Sequence, residues 1–214
     1  MNPENSFQFS IKIVLLPLVL IFIMWFVYWF EITFGYNFNH LGVYPLTISG
    51  LKGVIFSPFI HANAQHLFNN SVPLLVLLLT LGYFYQPIAV KILLIGWIGT
   101  GLLTWLIARP SFHIGASGIV YMLVSFIFFS GIFRKYYRLI AVSLVVIFLY
   151  GSMAWYLFPI EKGISFEGHA AGFITGLVLA ILYKNQGPQK EEIIWTKTAF
   201  DELFDEEGNL RIKN

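Results

Sequence analysis

The sequence predicts an all-α polytopic membrane protein in which six transmembrane helices form one bundle. Hydrophobic residues make up 57% of the chain and charged residues only 11%, whereas a soluble domain carries roughly 25% charged residues. Apolar runs of about twenty residues recur, and each is long enough to cross a hydrocarbon core of ~30 Å. The net charge of +2 gives no indication of nucleic-acid binding. The absence of cysteine excludes disulfides and thiolate chemistry.

Six spans are expected, at 11–30, 66–85, 88–108, 114–133, 139–158 and 169–183. The first is a retained helix and not a signal peptide, because Glu31 and aromatic residues follow it instead of a small-residue cleavage site. Glycines in the third and sixth spans favour close helix packing. Segment 33–65 is aromatic and nearly uncharged, and prolines and glycines interrupt it. We therefore expect a loop between the first two helices that is partly embedded at the membrane interface.

The spans divide the chain into three expected parts. These are a cytoplasmic N-terminal segment 1–10, a six-helix membrane domain 11–184, and a polar, acidic cytoplasmic tail 185–214. Apolar positions between Ile194 and Phe204 hint at a short amphipathic helix in the tail. A solvated tail is the preferred interpretation.

The orientation in the membrane follows from the positively charged residues, which are typical of cytoplasmic loops. They cluster between the fourth and fifth spans, as Arg134, Lys135 and Arg138. Both termini are then cytoplasmic, and a bacterial source would make the cell membrane the expected location. His66, Ser117 and His169 fall at the non-cytoplasmic ends of the second, fourth and sixth spans. Three polar side chains are thus predicted to meet at one depth, as a site requires.

The distribution of acidic residues narrows the chemistry of that site. No Asp or Glu lies between Glu31 and Glu161, and the first aspartate is Asp201. This excludes intramembrane hydrolysis by paired aspartates. No His-Glu-x-x-His motif is present, so the metalloprotease pattern is excluded as well. Proton-coupled transport usually leaves an ionisable residue in mid-membrane, and here only histidines would serve.

A serine nucleophile with a histidine base remains. Ser117 lies in Gly115-Ala116-Ser117-Gly118, and His169 lies in Gly168-His169-Ala170-Ala171-Gly172. Small residues around both let two helix backbones approach until the hydroxyl reaches the imidazole. Glu167 is two residues from His169 and does not share its helix face, so we predict a dyad without an acidic third member.

Such a dyad needs hydrogen-bond donors for the oxyanion. His66 and Asn70 are four residues apart, so they lie on one helix face, and both side chains can donate. Backbone N–H groups at the start of the fourth helix, including that of Ser117, lack intrahelical partners and are further candidates. Tyr121, one turn after Ser117, is predicted to hold the ring of His169.

Together these motifs resemble the rhomboid family of intramembrane serine proteases over about 53–179. The resemblance implies a rhomboid-like six-helix bundle with Ser117 as nucleophile, His169 as general base, and His66 and Asn70 in the oxyanion hole. The supporting residues that it implies are a structural histidine in the first loop and small residues at close helix contacts. His61 is the structural histidine, Gly172 and Gly176 are the close-contact positions of the last helix, and Gly115 and Tyr121 belong to the motif around Ser117.

By the same resemblance, the chain is expected to cleave transmembrane segments of membrane proteins near their extracytoplasmic ends. The fifth helix and the following cap loop would gate entry, with Trp155 and Phe158 as candidate gate residues. Many family members carry a Trp-Arg pair in the first loop, where this chain has Leu51-Lys52-Gly53. That departure concerns the membrane anchoring of the loop and not the catalysis.

Two other functions are alternatives to proteolysis. An inactive rhomboid-like protein that binds transmembrane clients would usually lack the serine or the histidine, and both are present. A small transporter or channel is disfavoured because the spans lack mid-membrane charge and inverted repeats. The expected partners are transmembrane protein substrates and the lipid bilayer, with no nucleic acid, no metal and no other cofactor. His40 and His113 are interpreted as loop residues without a role.

Overall fold

The computed structural model describes residues 9–159, 163, 165–190, 200, 203–205 and 208–210. The α-helices are α1 Ile11–Phe34, α2 Gly53–Phe56, α3 Ala64–Phe84, α4 Ala89–Ile107, α5 Ser117–Arg134, α6 Tyr137–Tyr150 and α7 Phe166–Leu182. Short 3₁₀ helices lie at Asn39–Leu41, Ile48–Lys52, Ser57–Phe59 and Gly151–Leu157. No β-strand is formed within these described ranges, where isolated bridges are the only β-type pairing.

The predicted all-α membrane bundle is confirmed. In the described part of the chain, five helical segments have the length and apolar composition to cross a membrane, and α7 is a shorter apolar helix of 17 residues. One of the five combines α6 with the 3₁₀ helix Gly151–Leu157, so the fifth predicted span is only partly α-helical. The helix α5 begins at Ser117 and not at 114, because Gly115 has a left-handed φ of 102°.

Three predicted features fall wholly or partly outside the described residues. They are segment 1–8, the cap loop at 160–162 and 164, and most of the proposed amphipathic helix of the tail, including Ile194 and Trp195. The three-part division of the chain and its orientation in the membrane stay predictions.

Helix α5 is the centre of the bundle. It is buried over 67% of its span, compared with 17% for α1. It packs against α3, α4, α6 and α7, and Leu123, Phe126 and Ile127 are fully enclosed. A helix that is apolar all round and buried on most faces is typical of the middle of a membrane bundle. The residues at its first turn are therefore held by neighbours on several sides.

Helices α5 and α7 are in backbone contact. A Cβ atom added at Gly172 would overlap the carbonyl oxygen of Gly118, and one added at Gly176 would overlap the carbonyl oxygen of Met122. Ser125 Oγ also donates to the carbonyl oxygen of Phe173 at 2.7 Å. Small residues allow this approach in membranes, where packing and interhelical hydrogen bonds drive association. The close contact brings the first turns of the two helices together.

The opposite ends of these helices are joined by Arg134, the last residue of α5. Its guanidinium donates to the carbonyl oxygens of Tyr183 at 2.7 Å and Lys184 at 2.8 Å, just after α7 ends. These hydrogen bonds satisfy carbonyls that have no partner within α7. The same side chain lies over the ring of Tyr85, 5.7 Å from its centroid. The two helices are thus fixed to each other at both ends.

The long loop between α1 and α3 is anchored to α4. Trp105 Nε1 donates to the carbonyl oxygen of Thr47 at 2.8 Å, and Trp97 Nε1 donates to that of Val54 at 2.9 Å. Apolar side chains of the loop point outward, and Ile48 is 90% exposed. An ordered loop with outward apolar residues matches the partly embedded loop that the sequence predicts.

Candidate active site

The first turn of α5 presents Ser117 next to a tight bend. Gly115 precedes it with φ 102°, a conformation that favours glycine. A Cβ atom at this glycine would lie 2.7 Å from Cε1 and 2.8 Å from Nε2 of His66. The Gly115 N–H also donates to the carbonyl oxygen of Ser57 at 2.9 Å. Glycine is therefore required both by the bend and by the imidazole that lies against it.

Ser117 and His169 lie within hydrogen-bond distance of each other. Ser117 Oγ is 3.0 Å from His169 Nε2, and His169 Nδ1 is 2.9 Å from the carbonyl oxygen of Tyr156. A carbonyl only accepts, so the Nδ1 nitrogen must carry the proton in this contact. In the neutral ring Nε2 is then the acceptor, which is the form that can take a proton from the serine hydroxyl.

The imidazole plane of His169 is fixed by Tyr121. The two rings stack with centroids 4.2 Å apart and planes inclined by 15°. The Tyr121 hydroxyl donates to the carbonyl oxygen of Met153 at 2.7 Å, which fixes the tyrosine as well. The histidine is thus held by a stacked ring on one face and by the Tyr156 carbonyl at its edge. It has few ways to rotate away from the serine.

Helix α3 brings one imidazole side chain, that of His66, and one amide side chain, that of Asn70, close to Gly115. Asn63 caps the helix by accepting from the His66 N–H at 2.8 Å, and Asn70 follows His66 by one turn. Asn70 Nδ2 lies 3.4 Å from the position that a Gly115 Cβ would take. This buried amide nitrogen has no hydrogen-bond partner among the described residues. A buried donor against Gly115, two residues before Ser117, is suited to an oxyanion.

His61 contacts the backbone at the Gly115 bend, next to Ser117. It is buried, and its Nε2 accepts from the Ala116 N–H at 3.4 Å. Burial, together with the neighbouring His66, lowers the pKa of His61 to about 3. The ring is therefore neutral near pH 7, and a neutral ring is needed for Nε2 to accept a hydrogen bond. This contact agrees with a structural histidine that holds the amide next to Ser117.

A cavity of about 940 Å³ opens over these residues. Ser117, His169, His66 and Asn70 all line it, and it lies between α3 and the segment after α6. Met153 and Tyr156 form part of its wall on the second side. The predicted gate residues Trp155 and Phe158 are exposed, at 68% and 60%, and are not among the lining residues. Their gating role stays a prediction.

The structure also shows contacts that the sequence interpretation missed. Glu167 is turned away from His169, as expected, and its carboxylate accepts from the Arg109 N–H at 3.4 Å. The Tyr156 carbonyl is a backbone group, so no side-chain pattern points to it. The sequence predicts His113 as a loop residue without a role, yet the residue is buried and its Nδ1 lies 2.6 Å from Ser165 Oγ. The available signal in the sequence is that His113 lies four residues before Ser117, as Ser165 lies four residues before His169.

Known proteins are similar in sequence to this chain over most of its length. The rhomboid domain family matches residues 49–186. A Mycobacterium bovis protein described as uncharacterized is 39% identical in an alignment of 152 residues, and the match covers 66% of this chain and 62% of that protein. A Mycobacterium leprae protein, also described as uncharacterized, is 35% identical in an alignment of 159 residues, and the match covers 69% of this chain and 62% of that protein. The chain thus spans about three-fifths of the length of these relatives. With a family match over more than half of its length and this fold, the chain is a multi-pass membrane protein that belongs to the rhomboid family.

Proposed function

We propose that the chain is a serine endopeptidase that cleaves transmembrane segments of other membrane proteins near their extracytoplasmic ends. The observation that carries this proposal is the 3.0 Å contact between Ser117 Oγ and His169 Nε2, with the opposite ring nitrogen bound to the Tyr156 carbonyl. This arrangement gives the serine hydroxyl a proton acceptor inside a membrane bundle. The buried donor of Asn70 supports acyl transfer as the reaction.

The reaction has two stages, formation of an acyl-enzyme and its hydrolysis. Ser117 Oγ forms a bond to the substrate carbonyl carbon as its proton passes to His169 Nε2, and the negative oxygen accepts from Asn70 and His66. The protonated His169 then gives its proton to the leaving amine as the C–N bond breaks. A water molecule, deprotonated by His169, attacks the acyl-enzyme and releases a carboxylate. The protonated His169 returns its proton to Ser117 Oγ as the bond between this oxygen and the acyl carbon breaks.

The substrate must present an extended segment to this site. A helical backbone pairs its carbonyls within the helix, so a transmembrane substrate has to unwind locally before Ser117 can reach one. The 940 Å³ cavity between α3 and the segment after α6 provides room for such a segment. The predicted orientation puts the cavity at the extracytoplasmic side, where water can reach the acyl-enzyme.

A cleavage assay tests the proposed function. The purified chain is placed in liposomes with a single-pass protein, and the products are mapped by mass spectrometry. We expect one cut near the extracytoplasmic end of the transmembrane segment, and covalent labelling of the chain by a fluorophosphonate. His40→Ala is the control, since this loop histidine is exposed and, among the described residues, its ring hydrogen-bonds to the Asn37 carbonyl alone. Absence of both cleavage and labelling across several substrates would favour the client-binding function instead.

Removal of the oxyanion donor Asn70 is expected to slow the reaction without preventing substrate binding. For Asn70→Ala we expect kcat to fall by about 100-fold or more, the usual effect of losing one such donor, with KM little changed. Initial cleavage rates at several substrate concentrations measure both constants. Thr80→Ala, farther along α3 with its hydroxyl on the Val76 carbonyl, is the matched control. An Asn70→Ala enzyme with the parental kcat would remove Asn70 from the oxyanion hole.

A further inference from the structure

His113 takes part in a directed chain of hydrogen bonds. Its Nε2 lies 3.0 Å from the Arg109 carbonyl oxygen and its Nδ1 lies 2.6 Å from Ser165 Oγ. Because the carbonyl only accepts, Nε2 carries the proton and Nδ1 accepts from the Ser165 hydroxyl. Ser165 Oγ in turn accepts from the Gly168 N–H at 3.2 Å, which caps α7. The residue just before His169 is thereby connected to the loop before α5.

The same two segments are joined a second time. Arg109 lies 3.6 Å from Glu167, measured from Nε to Oε1, and its backbone N–H donates to that oxygen. His113 itself is fixed by backbone pairing, since its N–H and carbonyl each bond to Val43 at 2.9 Å. The His113 side chain therefore extends from a held backbone to the cap of α7. It does not depend on the cap for its own position.

The link runs parallel to the Ser117–His169 pair. His113 lies four residues before Ser117, and Ser165 lies four residues before His169, so each pair is separated by 52 positions in sequence. Both pairs join the start of α5 to the start of α7. We propose that His113 and Ser165 form a positioning clamp that sets the separation of the serine nucleophile from its base. This proposal rests on the proposed function for its meaning in catalysis.

The clamp affects catalysis through the distance between Ser117 Oγ and His169 Nε2. Proton transfer from Ser117 to His169 needs a heavy-atom separation of about 2.6–3.2 Å. A displacement of about 1 Å can cost on the order of 100-fold in rate. Loss of the clamp should therefore lower kcat far more than it changes KM, although His113 and Ser165 both line the cavity that receives the substrate. A purely structural cap would lower stability and leave kcat of the folded enzyme intact.

A thiol probe tests the clamp without any substrate. The chain has no cysteine, so in a Ser117→Cys variant the rate of alkylation by iodoacetamide reports one position alone. A cysteine paired with a histidine is more reactive because its thiolate is stabilised. We expect His169→Ala to slow this alkylation, and His113→Leu or Ser165→Ala to slow it to a similar degree. The double variant His113→Leu with Ser165→Ala should be no slower than either single variant.

Conservative variants keep the test informative if these changes disturb folding. His113→Asn preserves an acceptor toward Ser165, and Ser165→Thr preserves the hydroxyl, so both should retain fast alkylation. His40→Ala should match the parent. Thermal denaturation in detergent shows which variants are folded, and only folded variants are compared. In the enzyme that keeps Ser117, His113→Leu and Ser165→Ala should lower kcat by about 100-fold with KM little changed.

The outcomes separate the clamp from the proposed function. Clamp-dependent alkylation in a chain that cleaves no substrate would reject the protease and retain the clamp. Alkylation that slows with His169→Ala but not with folded His113→Leu or Ser165→Ala would overturn the clamp. A raised KM with unchanged kcat would overturn it too, because these residues would then contact the substrate directly. If His169→Ala does not change alkylation, the dyad and the clamp both fail.

Discussion

Ser117→Ala is expected to abolish cleavage, with kcat reduced on the order of 10⁴-fold or more. The alanine has no hydroxyl to attack a carbonyl, and His169 at 3.0 Å then has no proton to take. The packing changes little, because the variant loses one oxygen atom at the first turn of α5. The protein should remain folded and inactive. Cleavage of a single-pass substrate in liposomes measures the loss.

A fluorophosphonate label separates loss of the nucleophile from loss of the fold. The wild type should be labelled, and Ser117→Ala should not. Ser49→Ala, an exposed loop serine, is the matched control and should cleave and label normally. The double variant Ser117→Ala with His169→Ala should be no slower than the single one, because the two residues act as a unit. Residual labelling of Ser117→Ala would assign the nucleophile to another hydroxyl.

The helical bundle was predictable because burial in lipid leaves a simple pattern. Each long apolar run has to satisfy its own backbone in the membrane, and the helix is the local way to do so. The side chains of the candidate site were also accessible to prediction. Ser117, His169, His66 and Asn70 are chemically distinctive, and each stands near the start of an apolar run where polar residues are rare. The assignment of their catalytic roles remains a prediction.

The unpredicted contacts depend on tertiary structure. The carbonyl of Tyr156 orients His169, but every residue has a carbonyl, so nothing in the sequence distinguishes this one. His113 and Ser165 are 52 positions apart in sequence and meet only because α5 and α7 are in contact. The change from α-helix to 3₁₀ helix comes at Gly151, and glycine weakens a helix, but glycines also lie inside α4 and α7 without ending them. Such features follow from packing between distant segments.

Gly172→Ala is expected to separate α5 from α7 and to remove activity through that movement. The added methyl group would overlap the Gly118 carbonyl oxygen and would lie 3.2 Å from the Met122 backbone nitrogen. Both neighbours are backbone atoms of α5, so no side-chain rotation relieves the overlap. Overpacking of this kind typically costs about 1–3 kcal/mol. His169 precedes Gly172 by three residues and moves with α7, away from Ser117.

Gly82→Ala is the matched control for this effect. Both substitutions remove a helical glycine, so both gain about 1 kcal/mol of helix propensity. At Gly82, however, the atom nearest to the new methyl group is Cγ2 of the Ile13 side chain at 3.0 Å, which can shift, and the Ile13 Cα atom lies at an ordinary 3.7 Å. We expect a clear fall in the thermal midpoint in detergent, with loss of fluorophosphonate labelling, for Gly172→Ala alone. A Gly172→Ala protein with the stability and labelling of Gly82→Ala would show that α5 and α7 tolerate separation. The backbone contact would then not be what holds His169 against Ser117.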